Sequence, residues 1–245
     1  EVRPLDISIT KNVLGLFINS AVLLVIMMSC VRWYKKHPLE DGAPKGGVGM
    51  IEATVLSIYN DVIKGCIGEN YRRYAPYLLT AFFFILVNNL MGLIPIFPGG
   101  ANVTGNIAIT LVLALCTFIM TNVYGTKAYW KEIFWPDVPT WLKVPIPMMP
   151  LIEFFGIFTK PFALMIRLFA NIMAGHAAVL SLIAIIFITV KSGPVINGSM
   201  TGVSVAFDIF MNALEILVAF IQAYVFTMLS AVFIGLSQVK EHAEK

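Results

Sequence analysis

A chain of 245 residues with 58% hydrophobic and 13% charged side chains, and a mean hydropathy of +0.84, lies far outside soluble domains, whose charged fraction runs near about 25%. Its formal charge of +3 gives no reason to propose nucleic acid as a partner, and its three cysteines, Cys30, Cys66 and Cys116, show neither disulfide nor zinc spacing. The composition implies an all-α polytopic membrane protein, one membrane domain over 1–245, with the lipid bilayer as its first partner.

The chain begins with Glu1 rather than Met, so a processed or incomplete N-terminus is expected. The first apolar run, 13–32, predicts a span within 1–33. Over 47–70, Met50, Ile51, Val55, Ile58, Val62 and Ile63 recur at helical spacing among Glu52, Asp61 and Lys64. That pattern predicts an amphipathic helix lying in the membrane interface. Apolar runs at 75–97 and 104–126 predict the second and third spans within 74–128. The last two units, 148–190 and 200–237, fall within 147–238. There are therefore about five hydrophobic helical units plus the interfacial one.

The fourth unit is too long for an ordinary span. Roughly 43 residues of helix measure about 65 Å against a hydrocarbon core of about 30 Å. Tilts up to about 40° do not absorb the excess. Either the long units break, near Gly156 and Pro161 or near Gly175, or the last two units form a long, steeply inclined hairpin. The hairpin is the expectation, and it would lay one flank along a large neighbour.

Pro and Gly mark "PIFPGGANVTGN" and "KSGPVINGSM" as loops on one side and "FWPDVPTWLKVPIPMMP" as a loop on the other. Arg32, Lys35, Lys36, Lys45, Lys64, Arg72, Arg73, Lys127, Lys131, Lys143, Lys240 and Lys245 gather on one side, leaving Arg3, Lys11 and Lys191 opposite. The positive-inside rule then places the N-terminus outside and "QVKEHAEK" inside.

Ionisable residues inside these units cost at least about 2.5 to 3.5 kcal/mol each, so each needs a reason. The fourth unit holds Glu153, Lys160, Arg167 and His176, and the fifth holds Asp208 and Glu215. Glu153 and Lys160 sit where snorkelling to the interface or an internal ion pair would explain them. Arg167 lies roughly twenty residues, about 30 Å, from either end of its unit and has no such escape. Its guanidinium stays protonated, so it calls for an anion, fixed or visiting. Asn171 is one turn from Arg167 on the same face, whereas His176, nine residues on, is rotated by about 180°. On the fifth unit Asp208, Glu215 and Gln222 recur every seven residues in steps of about 10 Å. Such a stripe suits a hydrated proton passage, or interhelical hydrogen bonds that only hold the hairpin together.

"RLFANIMAGH" followed by "LEILVAFIQAYVFTMLS", with "FFILVNNLMGLIP" upstream, resembles subunit a of the F-type ATP synthase membrane sector. The resemblance covers most of the chain. It implies that Arg167 is the essential charge facing the carboxylate of a rotating c-ring, with Asn171 and Gln222 as polar positions beside it. It further implies that His176 and Glu215, with Asp208 nearer the mouth, line an outer half-channel. Glu153 is similar to an acidic position of some members toward the other half-channel. Where some bacterial members carry an acid after "NLM" this chain has Gly92, which leaves Asn89 as a candidate lining residue of the second unit. The implied partners are the c-ring and peripheral-stalk b-type subunits, with no cofactor. The implied place is a bacterial inner (plasma) membrane, with the mitochondrial inner membrane as the alternative, and the ion is a proton, with sodium the alternative.

No G-x-x-x-x-G-K-[ST] loop is present to cradle phosphate, so ATP chemistry would belong to an attached sector. The competing reading is a self-contained secondary transporter that binds an anionic substrate at Arg167, which internal repeats would favour. The sequence shows no such repeat.

Overall fold

The computed structural model describes residues 11–37, 44, 46–93, 103–134 and 148–238. Among these residues every regular element is helical. The protein is an all-α, multi-pass membrane protein. Among the described residues, four helices are long and apolar enough to cross a membrane, and a fifth, shorter apolar helix accompanies them. The predicted loop around 95–102, most of the loop over 134–147 and the tail beyond 238 lie outside the described residues.

Helix α1 (Lys11–Lys36) ends with Lys35 and Lys36, cations that suit the negative end of its dipole. Helix α2 (Gly47–Ser57) runs into a π-turn at Ile58–Lys64 and the single turn α3 (Gly65–Ile67). Here Ile58, Val62, Ile63 and Ile67 are buried while Asp61 and Lys64 are exposed. Met50, grouped with that apolar face by spacing, is instead 75% exposed. Gly68 then takes φ 74°, a left-handed conformation costly for any side chain, and a 3₁₀ turn at Gly68–Asn70 redirects the chain. That glycine separates the 47–70 segment from α4 (Tyr71–Leu93), which carries Pro76 within its first two turns.

Helices α5 (Ile107–Val123) and α6 (Lys127–Phe134) precede the two longest elements, α7 (Met148–Thr189) and α8 (Pro194–Ser237). Helix α7 is 42 residues long and α8 is 44, so each measures over about 60 Å. Neither breaks. Helix α7 continues through Gly156, Pro161 and Gly175, because a proline in an apolar helix leaves one carbonyl unpaired without ending the helix when packing holds the flanks. Between α7 and α8, a 3₁₀ turn at Val190–Ser192 leads to Gly193 at φ 101°, and Pro194 opens the next helix. The Thr189 hydroxyl donates to Asn197 Oδ1 across this turn at 3.1 Å.

The chain divides into two compact units. The first comprises 1–41, 83–106 and 170–222, and the second 42–82, 107–169 and 223–245. In the first, Asn19 of α1 donates to Asn88 of α4 at 2.9 Å, both side chains being buried. In the second, a buried stripe on α5, Thr110, Ala114, Thr117 and Thr121, offers a narrow surface on which helices approach closely. Thr117 shares hydrogen bonds with Tyr77 at 2.9 Å and Ser230 at 3.2 Å.

Candidate functional site

Within the first unit, the end of α4 and facing stretches of α7 and α8 enclose a cavity of about 270 Å³. Its walls are mostly apolar, from Leu93, Ile172, Met211, Leu214 and Val218, and four polar side chains enter it: Asn89, Asn171, His176 and Glu215. Helical spacing explains the set. Glu215, Met211 and Val218 recur at three or four residues along α8, as do Asn171, Gly175 and Ile172, His176 along α7.

His176 Nδ1 lies 4.0 Å from Glu215 Oε1. The two side chains differ in access, His176 being 37% exposed and Glu215 13%. Glu215 Oε1 is buried and accepts no hydrogen bond from any described residue. A carboxylate oxygen so placed has lone pairs available to a proton or a water rather than spent on packing.

Asn89 is held on both sides. Its Oδ1 accepts from the Thr104 hydroxyl at 2.8 Å, and its Nδ2 donates to the Ala219 carbonyl at 3.3 Å. Thr104 lies outside any regular helix, and its role carries no pattern in the sequence beyond a hydroxyl near a turn. Asn171 Nδ2 donates to Gln222 Oε1 over a long 3.5 Å, and the buried Nε2 of Gln222 has no partner among the described residues. Phase alone groups Asn171 with Arg167 and apart from His176. The structure places Asn171 in the same cavity wall as His176, because the lining arc of α7 runs through 171, 172, 174, 175 and 176 and is wider than a single stripe.

Asp208 stands two turns from Glu215 on α8 and outside the cavity lining. Its Oδ1 is buried without a partner among the described residues, while its backbone carbonyl accepts from Asn212 at 2.8 Å.

Arg167 and Glu153 belong to the second unit. Arg167 is exposed, and no described residue gives it a hydrogen bond or an ion pair. Lys160, one heptad earlier on α7, places its ammonium 5.8 Å from the ring centre of Phe233, a cation–π contact rather than an ion pair with Glu153. Glu153 is half-buried near Tyr129 of α6. Burial raises the Tyr129 hydroxyl above its ordinary pKa, and the charge of Glu153 raises it further, so Tyr129 remains a neutral donor.

Among the described residues, no group of three or more His, Cys, Asp or Glu side chains is arranged to hold a metal ion.

The family model for the ATP synthase A chain matches residues 14–235. The chain belongs to this family. It is 47% identical over 249 residues to the ATP synthase subunit a of Chlorobium phaeobacteroides, covering 99% of this chain and 69% of that protein. It is 45% identical over 245 residues to the ATP synthase subunit a of Chloroherpeton thalassium, covering 98% and 70%. The subunit a of Myxococcus xanthus is more distant, 39% identical over 244 residues, 97% of this chain and 75% of that one. Membership of the ATP synthase A chain family makes the protein a membrane component of the ATP synthase, engaged in ATP synthesis and proton transport, rather than a catalyst by itself.

Proposed function

We propose that this chain is the proton-conducting stator of a bacterial F-type ATP synthase. Two offset half-channels lead to and from a carboxylate on the c-ring, and Arg167 separates them. The observation that carries this reading is the cavity in which His176 and Glu215 approach to 4.0 Å between otherwise apolar walls. A separation of that size is longer than a direct hydrogen bond but within reach of a small side-chain movement, and imidazole and carboxylate are groups suited to relay a proton near neutral pH.

Protons enter past Asp208 to His176 and Glu215 and reach the ring carboxylate, which turns through lipid in its neutral form. They leave by the inner half-channel, toward which Glu153 contributes. Asn89, Asn171 and Gln222 supply amide dipoles along the path. Arg167, exposed and without a described partner, is free to meet a carboxylate that arrives from another subunit. In a low-dielectric setting a fixed cation favours the ionised carboxylate beside it and opposes a proton crossing directly.

At over about 60 Å each, α7 and α8 fit a core of about 30 Å only when steeply inclined, which lays their flank along a ring. The 47–70 segment lies in the interface, b-type subunits of the peripheral stalk complete the stator, and the N-terminus is outside with the C-terminus in the cytoplasm.

The test is Arg167→Ala in the whole complex reconstituted into vesicles. ATP-driven proton pumping should fall at least about 100-fold, the scale for removing a preorganised charge, with the complex still assembled. Undiminished pumping would exclude Arg167 as the charge that separates the two half-channels.

A further inference from the structure

We propose that Gly175 is a positioning residue for Glu215: its missing side chain forms a notch in α7 that seats the carboxyl group of Glu215 beside His176. A Cβ built on Gly175 would touch Glu215 Oε1 and lie 3.2 Å from its Cδ and 3.4 Å from its Cγ. Three successive atoms of the glutamate therefore rest against this one backbone position.

Other glycines of the same two helices behave differently. At Gly156, Gly198 and Gly202 a Cβ would meet nothing within 4 Å. Gly235 of α8 is also crowded, but there a Cβ would meet the backbone of Cys66 and Ile67 and no side chain, as at a helix-packing contact. Gly175 is helical with ordinary backbone angles, so it is not required by the conformation of α7. What it provides is space, and the occupant of that space is the one carboxylate among the described residues that lines the cavity. Alanine favours a helix, so the added methyl group should act on the glutamate, the flexible partner, rather than on α7. The displaced carboxylate then loses its 4.0 Å relation to His176.

This inference rests on the reading of Glu215 as a proton carrier, and the test separates the two. In whole complexes reconstituted into vesicles, proton-driven ATP synthesis is measured for Gly175→Ala, Glu215→Asp, their combination, Glu215→Gln and Gly202→Ala. Gly175→Ala should lower the rate at least about tenfold, as misplacing a proton-transfer group does. Glu215→Asp, one methylene shorter, should lower the rate alone and restore it to within about threefold of the unaltered complex when combined with Gly175→Ala, by drawing the carboxylate back from the new methyl group. Gly202→Ala should have no effect.

An assembled Gly175→Ala complex with the full rate overturns the proposal, as does an aspartate that fails to restore it. Loss of assembly in Gly175→Ala that the aspartate does not repair overturns it as well, since the notch would then serve helix packing. If Glu215→Gln leaves the rate unchanged, the proton-carrier reading itself fails. If Glu215→Gln blocks synthesis while Gly175→Ala does not, only the positioning fails.

Discussion

The two compact units treat hydroxyls alike and differ in where their carboxyl and amide groups lie. Hydroxyls turn back onto their own helices in the unit holding 170–222, as Ser181 does onto Ala177 O and Thr201 onto Asn197 O, and likewise in the unit built on 107–169 and 223–245, where Thr117 also bonds across to Tyr77 and Ser230. Thr121 donates to Thr117 O at 2.8 Å, Thr227 to Ala223 O at 2.9 Å and Ser237 to Ile234 O at 2.7 Å. In the unit holding 1–41, 83–106 and 170–222, Asn19 and Asn88 pair with each other, while Asn89, Asn171 and Glu215 sit at a cavity and Asp208 and Gln222 keep a buried atom without a described partner. Of the four buried side-chain atoms without a described partner, Asp208 Oδ1, Glu215 Oε1 and Gln222 Nε2 lie there, and Asn122 Oδ1 lies in the other unit. A hydroxyl can satisfy itself against a carbonyl one turn away, so it suits close helix packing and gives no path. A carboxylate has no donor of its own and must meet a proton, a water or a cation. The difference separates polar residues that join helices from those that the proposed proton path would use.

The sharpest way to break this comparison is at the cavity. Neutralising Glu215 with Gln should reduce proton-driven synthesis by about 10- to 100-fold, within the range for loss of a proton-transfer group. Removing His176 should cost less, because its side chain is the more exposed of the two. The double variant should be hardly worse than Glu215→Gln alone, since groups acting in one relay are not additive. The pH dependence of proton flux should change in each single variant, and an unchanged profile in both would reduce the pair to packing residues.

A smaller effect is expected one step out from the cavity. Thr104→Val removes the donor to Asn89 Oδ1 and should slow synthesis by roughly threefold, the consequence of freeing an oriented amide in a site that depends on position. If Asn89→Leu has no effect on synthesis, Asn89 is structural and only its hydrogen bonds to Thr104 and Ala219 matter.

The smallest effect should come from the other unit. Thr117→Val removes the hydroxyl shared with Tyr77 and Ser230, and thermal unfolding of the complex should show a loss of about 0.6 kcal/mol, the average for interhelical hydrogen bonds in a bilayer. Proton flux per assembled complex should be unchanged. A flux defect as large as that of Glu215→Gln would erase the distinction between the two units.

The membrane class, the helical content and the identity of the costly residues were legible in the sequence. Each depends on local quantities: the length of an apolar run and the price of a charge within it. Arg167 stood out because no side chain reaches about 30 Å to an interface. The stripe of Asp208, Glu215 and Gln222 was legible from its period, although the structure places Glu215 alone of the three in the cavity wall.

The hairpin reading expected unbroken long helices, which α7 and α8 are, but local propensity could not decide it. Gly156, Pro161 and Gly175 are helix-breaking residues by propensity, and only tertiary packing along α7 decides that the helix runs on. Nor could spacing show that Thr104 fixes Asn89, that Asn171 shares a wall with His176, or that Gly175 faces the glutamate of another helix. Periodicity assigns a residue to a face of its own helix. Which atoms lie across from that face, and at what distance, depends on the rotation and register of two helices against each other, and packing alone sets those.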